Sequence, residues 1–139
     1  MGTTITDERP GIDELVGLYE AVGWTAYTGD PPALAAAIAG SHTVLTARDG
    51  DGKLVGLLRT VSDGATVVYV QDVLVAPSAQ RTGVGGALLD EVLRRSAGIR
   101  QTVLLTDAEP SQRAFYESRG FVEVHDVGPR PLRSFVLLR

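Results

Sequence analysis

Gln80-Arg81-Thr82-Gly83-Val84-Gly85-Gly86 places three glycines and one cation between a β-branched run and a helix-like repeat. Without a Cβ, Gly83, Gly85 and Gly86 let the backbone take positive φ and come close to an anion. The first N–H groups of a helix have no partner within it, and they attract negative charge placed beyond its end. Successive N–H groups form an anion nest, to which Arg81 adds a full charge. The chemistry predicted is the holding of a pyrophosphate; the alternative is a plain strand-to-helix turn. Two other phosphate motifs fit less well. A Gly-x-Gly-x-x-Gly fingerprint from Gly83 needs glycine where Leu88 stands, and the Gly-Lys-Ser/Thr of a P-loop is absent.

About thirty residues later comes Phe115-Tyr116-Glu117-Ser118-Arg119-Gly120-Phe121, an aromatic pair followed by a glycine stop. The Tyr116 phenol could donate a proton, or it could pack in the core with its hydroxyl paired to backbone. Asp72 lies in an apolar run, Tyr69, Val70, Val73, Leu74 and Val75, where an unpaired carboxylate would be costly to bury. It is therefore expected to face the opening of the sheet as a general base, or else to pair with a cation such as Arg59. Trp24, the only tryptophan, and Tyr27 lie between Gly23 and Gly29. They either line a pocket for an amine or staple two helices to the sheet. His42 and His125 stand alone and read as structural.

Together the two motifs resemble the GNAT superfamily of N-acetyltransferases. Gln80-x-x-Gly83-x-Gly85 fits its Gln/Arg-x-x-Gly-x-Gly/Ala pattern, and Phe115 to Phe121 fits its Phe/Leu-Tyr-x-x-x-Gly-Phe, in the expected order. The resemblance implies transfer of an acetyl group from acetyl-CoA to a primary amine. It assigns the pyrophosphate to Gln80, Arg81, Thr82, Gly83, Val84, Gly85 and Gly86, and the pantetheine arm and acetyl carbonyl to the backbone of Val73 and Val75. Tyr116 takes the place of the general acid, Asp72 that of an acidic residue on the same strand, and Trp24 and Tyr27 lie beside the acceptor. One departure stands out: many relatives carry Asn seven residues before the tyrosine and Ala four before it, where this chain has Glu109 and Gln112. The pantetheine contact made by that Asn is expected to be lost or to pass to Ser111 or Gln112. No metal is expected.

The elements that must position these residues read as α/β. Helical periodicity runs from Ile12 to Val22, a second helix starts at Asp30-Pro31, and residues 42–48 and 53–61 are β-rich about the turn Asp49-Gly50-Asp51-Gly52. Residues 66–75 are the longest strand candidate, followed by a helix over 83–96, a strand over 101–106, a helix over 109–119 and strands near 121–126 and 133–138. The order predicts a mixed α+β sheet, locally parallel after residue 66, flanked by about four helices in the GNAT fold, with residues 1–139 as one domain.

Composition narrows the classes. At 139 residues and 44% hydrophobic content the chain can bury a core without staples, and with no cysteine it has no disulfide, thiolate metal site or cysteine nucleophile. A net charge of −4 argues against a nucleic-acid partner. No run of about 18 apolar residues spans a membrane and no leader is evident, so the cytoplasm is the default expectation. The expected partner is a small-molecule amine; the residues fix no oligomeric state, and a homodimer is among the alternatives. A non-catalytic acyl-CoA sensor and a protein N-acetyltransferase are the competing functions.

Overall fold

The computed structural model describes residues 2–139, which fall into two compact units, one ending at Leu105 and the other beginning at Thr106. The first unit holds β1 (Thr4–Asp7), α1 (Ile12–Ala21), α2 (Pro31–Ala39), β2 (Thr43–Arg48), β3 (Leu54–Ser62), β4 (Val67–Val75), α3 (Val84–Arg95) and β5 (Gln101–Leu104). Its five strands lie in the order β1-β2-β3-β4-β5; every pairing is antiparallel except that of β4 with β5, which is parallel. The second unit holds α4 (Pro110–Glu117) and a single 3-10 turn, Val124–Asp126. The mixed sheet and its four helices are those predicted.

Local chemistry explains the ends of the elements. The Asp30 carboxylate caps α2 by accepting from the Ala33 N–H at 3.2 Å, with Pro31 at the first helical position, where a missing N–H costs nothing. Between β2 and β3, Asp49 Oδ1 accepts from the N–H groups of Asp51 and Lys53 while Gly52 takes φ +83°, closing the hairpin. The adjacent Arg48 side chain binds both Glu8 and Glu14, tying β2 to the residue that follows β1 and to the first turn of α1.

The interior is built on β3, buried from Leu54 through Thr60 because both faces of the sheet are covered. Gly56 faces α3: a Cβ there would lie 2.9 Å from Val84 Cγ1 and 3.1 Å from Leu88 Cδ1. This absence of a side chain lets the first turn of α3 lie against the strand, which fixes where the start of that helix points. The opposite face, carrying Leu57 and Arg59, is covered by α1, whose Leu15, Leu18 and Tyr19 are buried.

Three expectations are corrected. A strand at 4–7 was not foreseen, because Thr4, Thr6 and Asp7 give a short polar segment whose pairing depends on a partner, β2. Neither strand expected near 121–126 and 133–138 forms. Glu123 and Asp126 instead pair with Arg113 across the 3-10 turn, while 133–139 form no ladder and are exposed throughout. Of the three motif glycines, only Gly83 has positive φ (+89°), joined by Arg81 at +62°. Gly85 and Gly86 already belong to α3, where helical φ is required.

Candidate functional site

The long strand β4 carries most of the predicted residues, and its register holds one irregularity. Asp72 pairs with Arg59, yet the next pair along is Val70 with Thr60, so Gln71 is an extra residue on β4. Such a bulge breaks the two-residue alternation of side chains. Tyr69 and Asp72, three apart, therefore share the face covered by α1.

The bulge coincides with the place where β5 stops. β5 pairs with β4 only from Val67 to Val70, opposite Gln101 to Leu104. Beyond it, Ala76 directs its N–H to the Val55 carbonyl on β3 at 2.8 Å. Alternation then turns the N–H and C=O of Val75 and Val73 to the other side, the side that β5 has left. Gln80 reaches back to this edge and donates from Nε2 to the Val75 carbonyl at 3.1 Å, and Thr82 Oγ1 donates to the Ala79 carbonyl. These two bonds fold the connection so that Gly83, in the left-handed region, precedes α3. No side chain caps α3, and its first backbone acceptor, the Gly83 carbonyl, is reached only by the Ala87 N–H. The N–H groups of Val84, Gly85 and Gly86 precede that first helical bond, which is the geometry an anion requires.

Asp72 does not face an opening; it is 4% exposed. The pairing with Arg59, weighed as the alternative, is the one formed: Arg59 Nε donates to Asp72 Oδ2 at 2.5 Å. Tyr19, from α1, donates its hydroxyl to the same oxygen at 2.8 Å. Burial, and after it the Asp72 charge, pushes the Tyr19 phenol far above its ordinary value, so that hydroxyl remains a donor. Burial works against the Arg59 charge, but Asp72 outweighs it and the guanidinium pKa is raised.

Tyr19 also links this pair to the aromatic loop. Its ring meets Trp24 edge-on at 6.4 Å between centroids and Tyr27 at 6.1 Å. Trp24 and Tyr27 are 42% and 38% exposed, so each keeps a free face. Half-buried Tyr69 belongs to the same surroundings: burial, then the charges of Asp72 and Tyr27, raises its pKa. Three residues singled out separately in the sequence, Trp24, Tyr27 and Asp72, are thus joined through Tyr19. That residue read only as part of the apolar stripe of α1, and nothing in its spacing revealed a buried hydroxyl.

In the second unit, Tyr116 is half-buried on α4, its ring edge-on to Phe115 at 5.0 Å and Phe121 at 5.8 Å. Burial, followed by the negative charge of Asp107, raises its pKa. Ser111 and Gln112 occupy the first turn of α4 after Glu109 and Pro110, the former exposed and the latter half-buried. His125 lies with Glu123 and Asp126 in an exposed acidic group whose carboxylates are already engaged by Arg113.

Comparison with known proteins places this geometry. A profile described as "Acetyltransferase (GNAT) domain" matches residues 19–130. The chain is 26% identical over 124 residues to the uncharacterized N-acetyltransferase ycf52 of Pyropia yezoensis, covering 87% of this chain and 70% of that one. It is 32% identical over 131 residues to the chloroplastic GCN5-related N-acetyltransferase 2 of Arabidopsis thaliana, where it covers 79% of its own length and 49%, about half, of the relative. Among solved structures, a GNAT family acetyltransferase of Streptococcus pneumoniae superposes with a TM-score of 0.83 at 33% identity, over 99% of this chain and 98% of that one. AAC(6')-Iy, solved with the bisubstrate analogue CoA-S-monomethyl-acetylneamine, shares the fold at 20% identity and a TM-score of 0.71, over 96% and 100% of the two chains. No helix among the described residues is long and apolar enough to cross a membrane. A β4 released by its neighbour just before an uncapped, glycine-led helix is the arrangement that the Gln80–Gly86 motif leads one to expect, and with a profile match that runs through both units the chain belongs to the GNAT family of acetyltransferases.

Proposed function

We propose that the protein transfers an acetyl group from acetyl-CoA to the primary amine of a small molecule, by direct attack in a ternary complex. The observation that carries this reading is the outer edge of β4 at Val73 and Val75, beyond the last residue that β5 pairs, running through the Gln80 turn into the open end of α3. A strand edge offers donors and acceptors in a line, which suits an amide-bearing arm; the helix end that follows suits a pyrophosphate. The fit extends to Gly83 and to Arg81, both in the left-handed region there. The profile match through both units supports treating residues 1–139 as one functional domain. That AAC(6')-Iy was solved with the bisubstrate analogue CoA-S-monomethyl-acetylneamine supports a small amine as the acceptor class.

Acetyl-CoA supplies the thioester. The chain's own residues then have three tasks. Val73 and Val75 present backbone N–H groups that hold the arm and polarise the carbonyl under attack. Tyr116 holds its proton through the neutral range and gives it to the sulfur as the C–S bond breaks, so free thiol leaves. Asp72 acts as a positioning residue: fixed by Arg59 and Tyr19, it sets the ring against which Trp24 and Tyr27 rest. The amine binds as its neutral form against these rings and, after attack, gives up one proton, which returns through solvent to restore the Tyr116 phenol.

The test is a panel of primary amines with purified protein and acetyl-CoA, following release of thiol and, separately, the heat of CoA binding. Turnover of at least one small amine with ordinary saturation is expected. CoA binding with no turnover of any small amine, and turnover of lysine peptides instead, would each replace this reading, the first by a sensor and the second by a protein acetyltransferase.

A further inference from the structure

The loop between α1 and α2 brings aromatic surface and negative charge together without a cation. Trp24 and Tyr27 stand steeply to the buried Tyr19 ring, at 60° and 80°, and both remain exposed. An exposed ring offers its negative face to a positive charge within about 6 Å. Among the described residues such a contact forms between Arg119 and Phe115, and neither ring of the loop has a cation of its own. Half-buried Tyr69 shares these surroundings, close enough to Tyr27 for one phenol to bear on the other.

The charge of the surrounding chain has one sign. From Pro10 to Ala47 there is no lysine or arginine, while Asp13, Glu14, Glu20 and Asp30 are acids. Glu14 is matched by Arg48. Glu20, near the end of α1, and Asp30, at the start of α2, are exposed, flank the loop and, among the described residues, pair with no cation. The cations that border this region are engaged elsewhere: Arg9 with the Ser41 carbonyl, Arg48 with Glu8 and Glu14, and Arg59 with Asp72. An acceptor carrying a carboxylate would find no partner here. One carrying a second ammonium would find ring faces and an unbalanced negative field.

We propose that this loop is a cation subsite and the acceptor a diamine or longer polyamine, whose second, protonated nitrogen rests on the exposed rings of Trp24 and Tyr27, flanked by Glu20 and Asp30. The assignment rests on the acetyl transfer proposed above and names its substrate class. A second charge also serves the reaction. The attacking nitrogen must be neutral, and a positive charge held a few carbons away lowers its affinity for a proton. The loop keeps the charged end while the neutral end reaches the thioester. The step itself is that of any primary amine: the C–N bond forms, the C–S bond breaks, the sulfur leaves as thiol and the nitrogen gives up one proton.

Steady-state kinetics with the diamines from ethylenediamine to hexamethylenediamine, each beside the amino alcohol and the ω-amino acid of the same chain length, test it. The best diamine should exceed its amino alcohol in kcat/KM by about tenfold, the ratio that a partly desolvated cation–π contact gives, and the ω-amino acid should be poorer than either. Trp24→Leu keeps an apolar side chain but no ring, and should collapse that ratio. Glu20→Gln with Asp30→Asn removes both flanking charges while asparagine retains the cap of α2, so the fold should persist by circular dichroism and the ratio should narrow severalfold. Trp24 is the only tryptophan, which gives a readout that needs no turnover: its fluorescence should respond saturably to the diamine and not to the amino alcohol. Equal or better turnover of the amino alcohol or amino acid, or a ratio that survives Trp24→Leu or the double variant, would overturn the proposal and leave acetyl transfer to small amines standing. A saturable fluorescence response with no amine turned over would support the cation subsite and overturn the transfer; neither response nor turnover would remove both.

Discussion

The Tyr19 hydroxyl donates to Asp72 Oδ2 at 2.8 Å, joining α1 to β4 across 53 residues of chain. One carboxylate oxygen accepts from both this phenol and the Arg59 guanidinium, so a charge that would be prohibitive in an apolar interior is matched on two sides. The same tyrosine ring carries Trp24 and Tyr27 on its outer edge. A buried ion pair and an exposed aromatic loop are therefore mechanically one object.

Asp72→Asn should report that object as structure before chemistry. Losing the carboxylate leaves Arg59 charged, buried and unpaired, which costs about 3–5 kcal/mol. Denaturant unfolding should show that loss, and the fraction that stays folded should have a raised acceptor KM with an acidic limb of the rate profile unchanged from the parent. Were Asp72 the general base, the acidic limb would flatten as well.

The alkaline side depends on Tyr19. Its folded pKa is raised above the ordinary 10.0, so the folded state prefers the protonated phenol more strongly than the unfolded state does. The contribution is complete below pH 10 and is lost as pH rises beyond it. Stability should therefore fall above pH 10, and Tyr19→Phe should lessen that slope while lowering stability at neutral pH by about 1.5–3 kcal/mol for a lost bond to a charged acceptor. Urea titrations at a series of pH values measure both.

Gly85→Asp tests the anion site. A carboxylate in the first turn of α3 favours the helix, since its N-terminus is the positive end, so the fold should survive. The same charge repels a pyrophosphate placed there. Calorimetric titration should find CoA binding abolished in a variant with a normal unfolding curve; unchanged affinity would remove the glycine turn from the site.

Tyr116→Phe should lower kcat roughly a hundredfold, the usual size of a general-acid contribution, with little change in acetyl-CoA affinity. Because burial and Asp107 raise the phenol pKa, the parent rate should show no alkaline loss from Tyr116 below the ordinary tyrosine value of 10.0. Parental turnover in the Phe variant would assign Tyr116 to packing against Phe115 and Phe121.

Trp24→Ala should raise the acceptor KM while leaving CoA binding intact. With 42% of its surface in solvent, Trp24 should cost much less stability on truncation than the roughly 3–5 kcal/mol of a buried tryptophan. Equilibrium unfolding and steady-state kinetics on this one variant separate a pocket wall from a staple.

Sequence alone settled the features governed by local chemistry. Asp30-Pro31 started α2, Asp49 to Gly52 closed a hairpin, and the repeat after Gly83 gave α3, because caps, turns and helical periodicity act over a few neighbours. The two motifs carried the family by the same route, each being a short run of residue types at fixed spacing. What depended on contacts distant in the chain was decided by the fold. Gln71 became a bulge only because β3 supplied the register, and that bulge put Tyr69 and Asp72 on one face against the alternation that a strand sequence implies. Asp72 turned inward because Arg59 and Tyr19, from different elements, arrive at the same oxygen. Residues 133–138 have the composition of a strand yet form none, because a strand exists only by hydrogen bonding to another, and which strand that is lies outside the segment's own sequence.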